Sequence, residues 1–497
     1  MEKNKKQKTK KNSRGVTVML VLGFMGIFIL LLSAITSYVL TQSRYGRTLH
    51  AREVAFNIAD AGLEYYRWFL SHNPSIMTNG NGLVSPYTYT VKDPEDGATV
   101  GSATITATAT LACGVVQWVD LTSVGSSALN ASYPRTLGAR YMRPSTAEYS
   151  NLLNANVWAG ADRVITGPYF SNGGIRMDGT NNSTVSSAVS TWQCDSSFGC
   201  SPTQTKNGVW GAGSGSGFWQ YPISSFDFAG ISTNFATLKT YAQTNGILLD
   251  TTIVRVGGVQ QGSSFSSVGG TDQRGYHVVL RSDNTIDVYR VTSTGSVPSV
   301  HTDNPSSWTT DYHTITGETY LGRYTIPATC AVIYAQAKVW LEGTVGGKVT
   351  ILAADTGSFS PDIILNNNIT YSSGTGSSGL TAIAERSVLI PLVSPDTMTV
   401  RGIFVAQSGY LGRNYYESGG SHGVPSAYNS YVTRASLSTI GTVVSNGRVG
   451  TKWTCGNSFC SGYSTRIDSY DRILAFAPPP FTPSSSPDYK LNLWREQ

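Results

Sequence analysis

The chain has 497 residues, more than one hydrophobic core usually serves, so two or three structural units are expected and a small single domain is excluded. Only 13% of residues are charged, while glycine fills 52 positions and tyrosine 27; this excludes a charge-rich disordered chain and fits a Gly- and Tyr-rich β protein. The formal charge of +6 belongs to residues 1–14, where Lys3, Lys5, Lys6, Lys8, Lys10, Lys11 and Arg14 face only Glu2; beyond them 29 basic and 29 acidic residues balance, so the body carries no electrostatic footprint of nucleic-acid binding.

From Gly15 to Arg44 no charged side chain intervenes, and 16–40 reads VTVMLVLGFMGIFILLLSAITSYVL. As a helix these 25 residues cover roughly 37 Å against a hydrocarbon core of ~30 Å. With the cations before it, the positive-inside rule keeps the amino end in the cytoplasm and sends the rest across the cytoplasmic membrane. A secretory signal peptide is the competing reading, but its apolar stretch runs to about 7–15 residues before small residues at a cleavage site. No proline occurs before Pro74, and Leu49, Phe56, Leu63 and Leu70 recur every seven residues, so one helix is expected over 16–72. Ala55, Ala59 and Gly62 place small residues beside that stripe, where a helix or sheet can approach closely.

The basic leader ending at Arg14-Gly15, the apolar segment opening at Val16, and AREVAFNIADAGLEYYRWFL over 51–70 resemble type IV pilin-like proteins, in particular the PilX-type minor pilins. The resemblance is carried by about residues 10–70. It implies a prepilin peptidase cut between Gly15 and Val16, and a helix that then packs among other pilins on an assembly platform. Two departures stand out: Val16 is neither Phe nor Met, and Leu20 stands where major pilins carry a glutamate. In the family that carboxylate pairs with a neighbouring subunit's amino group in a low-dielectric core. Subunits resembling the K-type minor pseudopilins also lack it and sit at a filament tip, so the resemblance implies a tip or priming subunit.

Past a turn-rich segment at 75–82, alternating β-branched runs at 87–91, 99–111, 115–121 and 136–142 predict a small antiparallel β head over 73–145. Over 146–470, brief apolar runs such as 332–333, 339–341, 349–351, 363–365, 388–390 and 403–405 alternate with Gly, Asn and Ser, as rungs of a parallel β-solenoid do. Residues 167–175 (GPYFSNGGI) and 441–449 (GTVVSNGRV) form an internal repeat, each followed by a Trp-x-Cys segment; two ordinary Asn-Gly hairpin turns are the alternative. A short surface helix at 235–244 and a hairpin at 276–291 are expected as insertions within 233–325. The Pro-rich end, 471–497, reads as a strap that Leu491, Leu493 and Trp494 could dock. The fold class is thus α+β: pilin-like helix, small antiparallel head, large solenoid-like domain.

All six cysteines lie beyond the membrane segment, where disulfides are permitted. The short spacings of Cys194 with Cys200 and of Cys455 with Cys460 point to local bridges, which leaves Cys113 with Cys330. A zinc site is not expected, because Cys-x-x-Cys is absent and no His stands at ligand spacing. Residues 342–349 come near a phosphate-binding loop but have Glu342 in place of its first glycine and Val349 in place of Ser or Thr, so a turn between rungs is expected; 211–217 reads as a flexible loop. The six histidines are scattered and read as surface residues.

Solenoids also host carbohydrate-cleaving enzymes, which need two convergent carboxylates. Asp178, Asp195, Asp283, Asp287, Asp396 and Glu385 are available, each expected near a turn, and calcium between Asp178, Asn181 and Asn182 is conceivable. The expectation drawn here is a non-catalytic minor pilin or pseudopilin with no cofactor or metal, an adhesive outer domain, and partners among pilins, prepilin peptidase, membrane lipid and surface glycans or cell-wall polymers. The alternatives are a membrane-tethered β-helix carbohydrate-active enzyme and a plain single-pass surface protein that keeps its leader.

Overall fold

The computed structural model describes residues 14–73, 86–229, 233–355, 357, 359–456 and 458–497. The leader over 1–13 and the turn-rich segment at 75–82 lie outside the described residues. Two compact units are present: one comprises the described part of Met1–Thr108 with Asp120–Ala139 and Trp494–Gln497, the other Ala109–Val119 with Arg140–Leu493.

In the first unit, helix α1 runs unbroken over Arg14–His72, about 88 Å at 1.5 Å per residue. Its side chains from Gly15 to Arg47 are all exposed. From Ala51 onwards a stripe of Ala51, Ala55, Ile58, Ala59, Leu63, Tyr66, Phe69 and Leu70 is buried. This is the 3.6-residue spacing of a straight helix on a sheet. The heptad reading therefore drifts off the buried face at its start, and Leu49 is left exposed.

The sheet beneath is built in this unit from β1 (Tyr87–Lys92), residues 99–108 of β2 (Thr99–Ala112), 120–127 of β3 (Val115–Ser127), 130–139 of β4 (Asn130–Met142) and the end, from Trp494, of the C-terminal strand Lys490–Glu496. The expected boundaries at 121 and 136 fall short, because β3 and β4 continue through a run of small polar residues. That run is what the helix needs: beyond Leu121, Ser123 and Ser127 alternate inwards with Gly125. A Cβ on Gly125 would stand 2.0 Å from the Ala55 carbonyl oxygen, and one on Gly62 would stand 2.4 Å from Ser123 Oγ. Small residues on α1 are thus used by this chain's own sheet. Trp494 on the last strand packs edge-on against Phe56 at 5.8 Å and donates Nε1–H to Asp60 Oδ1 at 3.1 Å, so the end of the strap is a strand of the sheet.

In the second unit, one parallel ladder runs Ile247–Leu249, Val332–Ala335, Lys348–Ala353, Gly379–Ala384, Thr397–Ala406, Thr433–Ser445, Asn151–Leu153, Tyr169–Ser171 and Val185–Ser187. A second stacks Lys338–Val345, Ile363–Tyr371, Thr397–Ala406, Thr433–Ser445, Ser458–Ser469, Arg163–Thr166 and Thr180–Asn181. The chain order is broken: the N-terminal rungs stack beyond the last C-terminal ones. Residues 151–171 thereby complete what 433–469 begin. Inward residues such as Ile351, Ala382, Phe404, Val443 and Tyr169 fill one continuous core.

The two repeat copies occupy equivalent places in the rungs on either side of Asn151–Leu153, since Val443 pairs with Asn151 and Asn151 with Tyr169. At their ends Asn154 Nδ2 donates to Asn446 Oδ1, and Asn172 Nδ2 to Asn154 Oδ1, each at 2.7 Å. A stacked asparagine ladder, not a pair of hairpin turns, explains the Ser-Asn-Gly similarity.

Three local expectations change. Gly211, Gly213 and Gly215 lie against a neighbouring rung; a Cβ on Gly213 would meet the Gly179 carbonyl at 2.1 Å, so these three glycines serve close approach, while Gly217 is open. Residues 342–349 are mostly strand, with only Gly346 and Gly347 turning. The hairpin is no mere insertion: Gly275–Leu280 pairs antiparallel with Thr285–Thr294 and parallel with Lys338–Val345, so its first strand is itself a rung. The helix Phe235–Thr244, capped by Asn234, buries Leu238 and Ala242.

Candidate functional site: an exposed helix and an aromatic groove

Gly15 and Val16 stand in the first turn of α1. Nothing lies within 4 Å of where a Gly15 side chain would begin, and Val16 is 66% exposed. Leu20 is exposed as well, and no acidic residue occurs between Glu2 and Glu53. Among the described residues, α1 is the helix long and apolar enough to cross a membrane.

The second unit carries a groove of ≈ 760 Å³ lined by Trp158, Asp162, Thr302, Arg448, Trp453 and Arg466 among others. Its walls grow out of the repeat. After the first copy, Trp192 leads to Cys194, which is bonded to Cys200; after the second, Trp453 leads to Cys455, bonded to Cys460. Trp192 is buried with Phe198 and the disulfide. Trp453 instead lines the groove, its Nε1–H donating to the Arg413 carbonyl at 3.0 Å. Ser197, inside the first disulfide loop, forms part of the same lining. The third bond, Cys113–Cys330, lies within the second unit and away from the groove lining.

The polar groups are ordered by charge. Arg466 grips Asp162 in a fork with both contacts at 2.9 Å, and Lys452 Nζ lies 3.1 Å from the same carboxylate. Burial alone would raise the Asp162 pKa, but hydrogen bonds and charge from Arg466 and Lys452 outweigh it and hold the carboxyl below its usual value. Arg448 donates to the Ser197 carbonyl at 2.8 Å and lies 4.3 Å over the Phe198 ring. Burial lowers its pKa, opposed by the charge of Asp195. No carboxylate lies within ion-pair distance of Arg448 among the described residues.

Sequence reasoning passed over these residues, although one signal was present. Within the repeat, Arg448 occupies the position of Gly174. At Gly174 a Cβ would collide with the Trp192 indole at 2.1 Å, so the first copy keeps a glycine to seat its tryptophan while the second sends a cation outwards.

The candidate carboxylates are engaged separately. Asp178 accepts from Trp158 Nε1 and Arg176 Nε at 2.8 Å, and Asp195 accepts from the Ser197 amide. Asp283 bonds Thr285, Asp396 accepts from the Ala435 amide, and Glu385 accepts from the Asp355 amide. Asp287 departs from the turn expectation: it is buried in mid-strand and ion-paired with Arg281 and Arg323. Asn181 and Asn182 spend their amide groups on Ser183, Trp219 and Gly167, and among the described residues no cluster of three His, Cys, Asp or Glu side chains could hold a metal.

The surface reading of the histidines holds for His50, His72 and His422 but fails for two. His277 is buried between Glu318 (2.9 Å) and Glu342 (3.5 Å), and stacks on Tyr289. Burial disfavours its charge, yet the two glutamates outweigh that and raise its pKa. His313, also buried, lies 2.8 Å from Asp311. For His277 the sequence offered no cue, because both glutamates come from other strands, whereas Asp311 stands two positions before His313.

No family model matches the chain, and no curated protein matches it. Among solved structures, the competence-associated pilin ComZ from Thermus thermophilus is similar over 90% of this chain and 97% of its own, at 13% identity and a TM-score of 0.29.

Proposed function

We propose that the chain is a non-catalytic minor subunit of a type IV pilin-like filament, held in the cytoplasmic membrane before assembly with its bulk outside. One observation supports this reading above the rest: α1 is a single helix whose outer half is buried under its own sheet while every side chain of its first 33 described positions after Arg14 is left exposed. A rod of that kind has an apolar surface that only lipid or other helices can cover. The leader, cut between Gly15 and Val16, would free the helix for a filament core. Leu20 supports a tip or priming place, since it cannot neutralise a neighbour's amino group in that core.

The test is processing. In cells that contain a prepilin peptidase, the mature chain should begin at Val16, and Gly15→Leu should leave it uncut; a chain that keeps its lysines in both cases contradicts the reading and favours a plain anchor.

A further inference from the structure

We infer that the groove beside the two local disulfide loops is a binding site for an acidic saccharide: a sugar ring bearing a carboxylate or a phosphate ester. The inference does not depend on whether α1 enters a filament.

Three features of the groove point to such a ligand. First, its indoles are held in place with their N–H groups already spent. Trp158 donates to Asp178 at 2.8 Å and carries Arg176 4.1 Å from its ring centre, while Trp453 donates to Arg413 and meets Tyr415 edge-on at 5.7 Å. What such side chains offer a ligand is carbon surface that needs no further ordering, which suits the C–H faces of a sugar.

Second, charge does not balance. Among the described residues that line the groove, Arg466, Lys452 and Arg448 have Asp162 as their only carboxylate, and Asp162 is taken up by the first two. Arg448 is left with a backbone carbonyl and a ring as its contacts, so one planar guanidinium is free to grip an anion bidentately.

Third, Thr302 is among the residues that line the same groove; it is 5% exposed, and its buried hydroxyl has no hydrogen-bond partner among the described residues. A buried hydroxyl left unpaired carries a desolvation cost, which a ligand oxygen that reaches it relieves. A sugar hydroxyl can both accept from it and donate to it. A nucleic acid fits less well: its affinity rests on a long track of phosphate contacts, whereas the groove has three cations and the body beyond residue 14 is neutral.

The experiment is calorimetric titration of the full chain in detergent micelles with oligogalacturonate, a sugar phosphate, neutral cello-oligosaccharide and single-stranded DNA as separate probes. Binding of the galacturonate or the sugar phosphate at least tenfold tighter than of the neutral oligomer is expected, and which of the two binds identifies the source of the negative charge. Arg448→Gln and Trp453→Ala should each weaken it at least tenfold, and Thr302→Val severalfold, with unchanged melting temperature reporting an intact fold. Arg448→Lys, which keeps charge but loses the fork, should fall between. Equal affinity for neutral and acidic sugars, no binding of either acidic probe, an undiminished Arg448→Gln variant, or tighter binding of DNA would each overturn the inference.

Discussion

The guanidinium of Arg448 donates to the backbone carbonyl of Ser197 at 2.8 Å, across 251 positions of sequence. The contact ties the second copy of the internal repeat to the disulfide loop that follows the first copy, and so sets the two walls of the groove against each other. It exists because the rung Asn151–Leu153, on which Tyr169–Ser171 stacks, itself stacks on the rung that ends at Ser445.

The loop closed by Cys455 and Cys460 carries the strand end on which Trp453 stands. Replacing both cysteines with alanine is expected to cost about 2 kcal/mol, as for any loop this short, while leaving the rest of the second unit folded. Thermal unfolding with and without reductant checks the magnitude. Saccharide affinity, compared between the two forms, checks that the loop holds the indole in place.

Arg163 and Asp468 form a buried ion pair between strands Arg163–Thr166 and Ser458–Ser469, 305 positions apart. Burial alone would lower the Arg163 pKa, but the charge of Asp468 outweighs it and raises it. Asp468→Ala strands the guanidinium in the interior and is expected to cost about 3–5 kcal/mol. The double change Arg163→Met with Asp468→Leu should cost much less, because no uncompensated charge remains. Denaturant unfolding of the two variants beside the unaltered chain decides it, and equal losses in the single and the double variant would contradict the pairing.

Gly125 lies under α1 where no side chain fits. Gly125→Val is expected to destabilise the first unit by about 3 kcal/mol or more, since the obstacle is the helix backbone and cannot rotate away. Leu49→Ala, on the exposed part of the helix, should change stability little. Circular dichroism melts of both variants compare the effects directly.

His277 gives the second unit a pH dependence. Its folded pKa is raised by Glu342 and Glu318, so its contribution is fully present below the unfolded value of about 6.5 and is lost as pH rises through the higher folded value. Stability measured by denaturant midpoints should therefore decline over that window, and His277→Gln should flatten the decline. An unchanged slope in the variant would remove His277 as its source.

The long helix was legible from composition and the absence of proline, and the solenoid from brief apolar runs between turn residues, because both are local patterns. Register was not. The repeat hinted that 167–175 and 441–449 are equivalent, yet nothing local says that Asn151–Leu153 stacks on Thr433–Ser445. The groove was invisible for the same reason: Trp158, Thr302 and Arg448 are far apart in sequence and meet only through the broken order of rungs. Asp287 and His277 were misjudged because strand interiors in this chain carry buried charges whose partners, Arg323 and Glu342, come from other strands. The strand at Lys490–Glu496 hid behind its prolines, although Trp494 marked it.

On the filament reading, α1 packs among other helices in a filament. The most direct test of that packing is mass spectrometry of surface filaments sheared from cells and purified away from membranes. The filament reading requires this chain in that fraction, starting at Val16, at low abundance relative to the main subunit. Finding it only in the membrane fraction, with residues 1–15 still attached, would contradict the account.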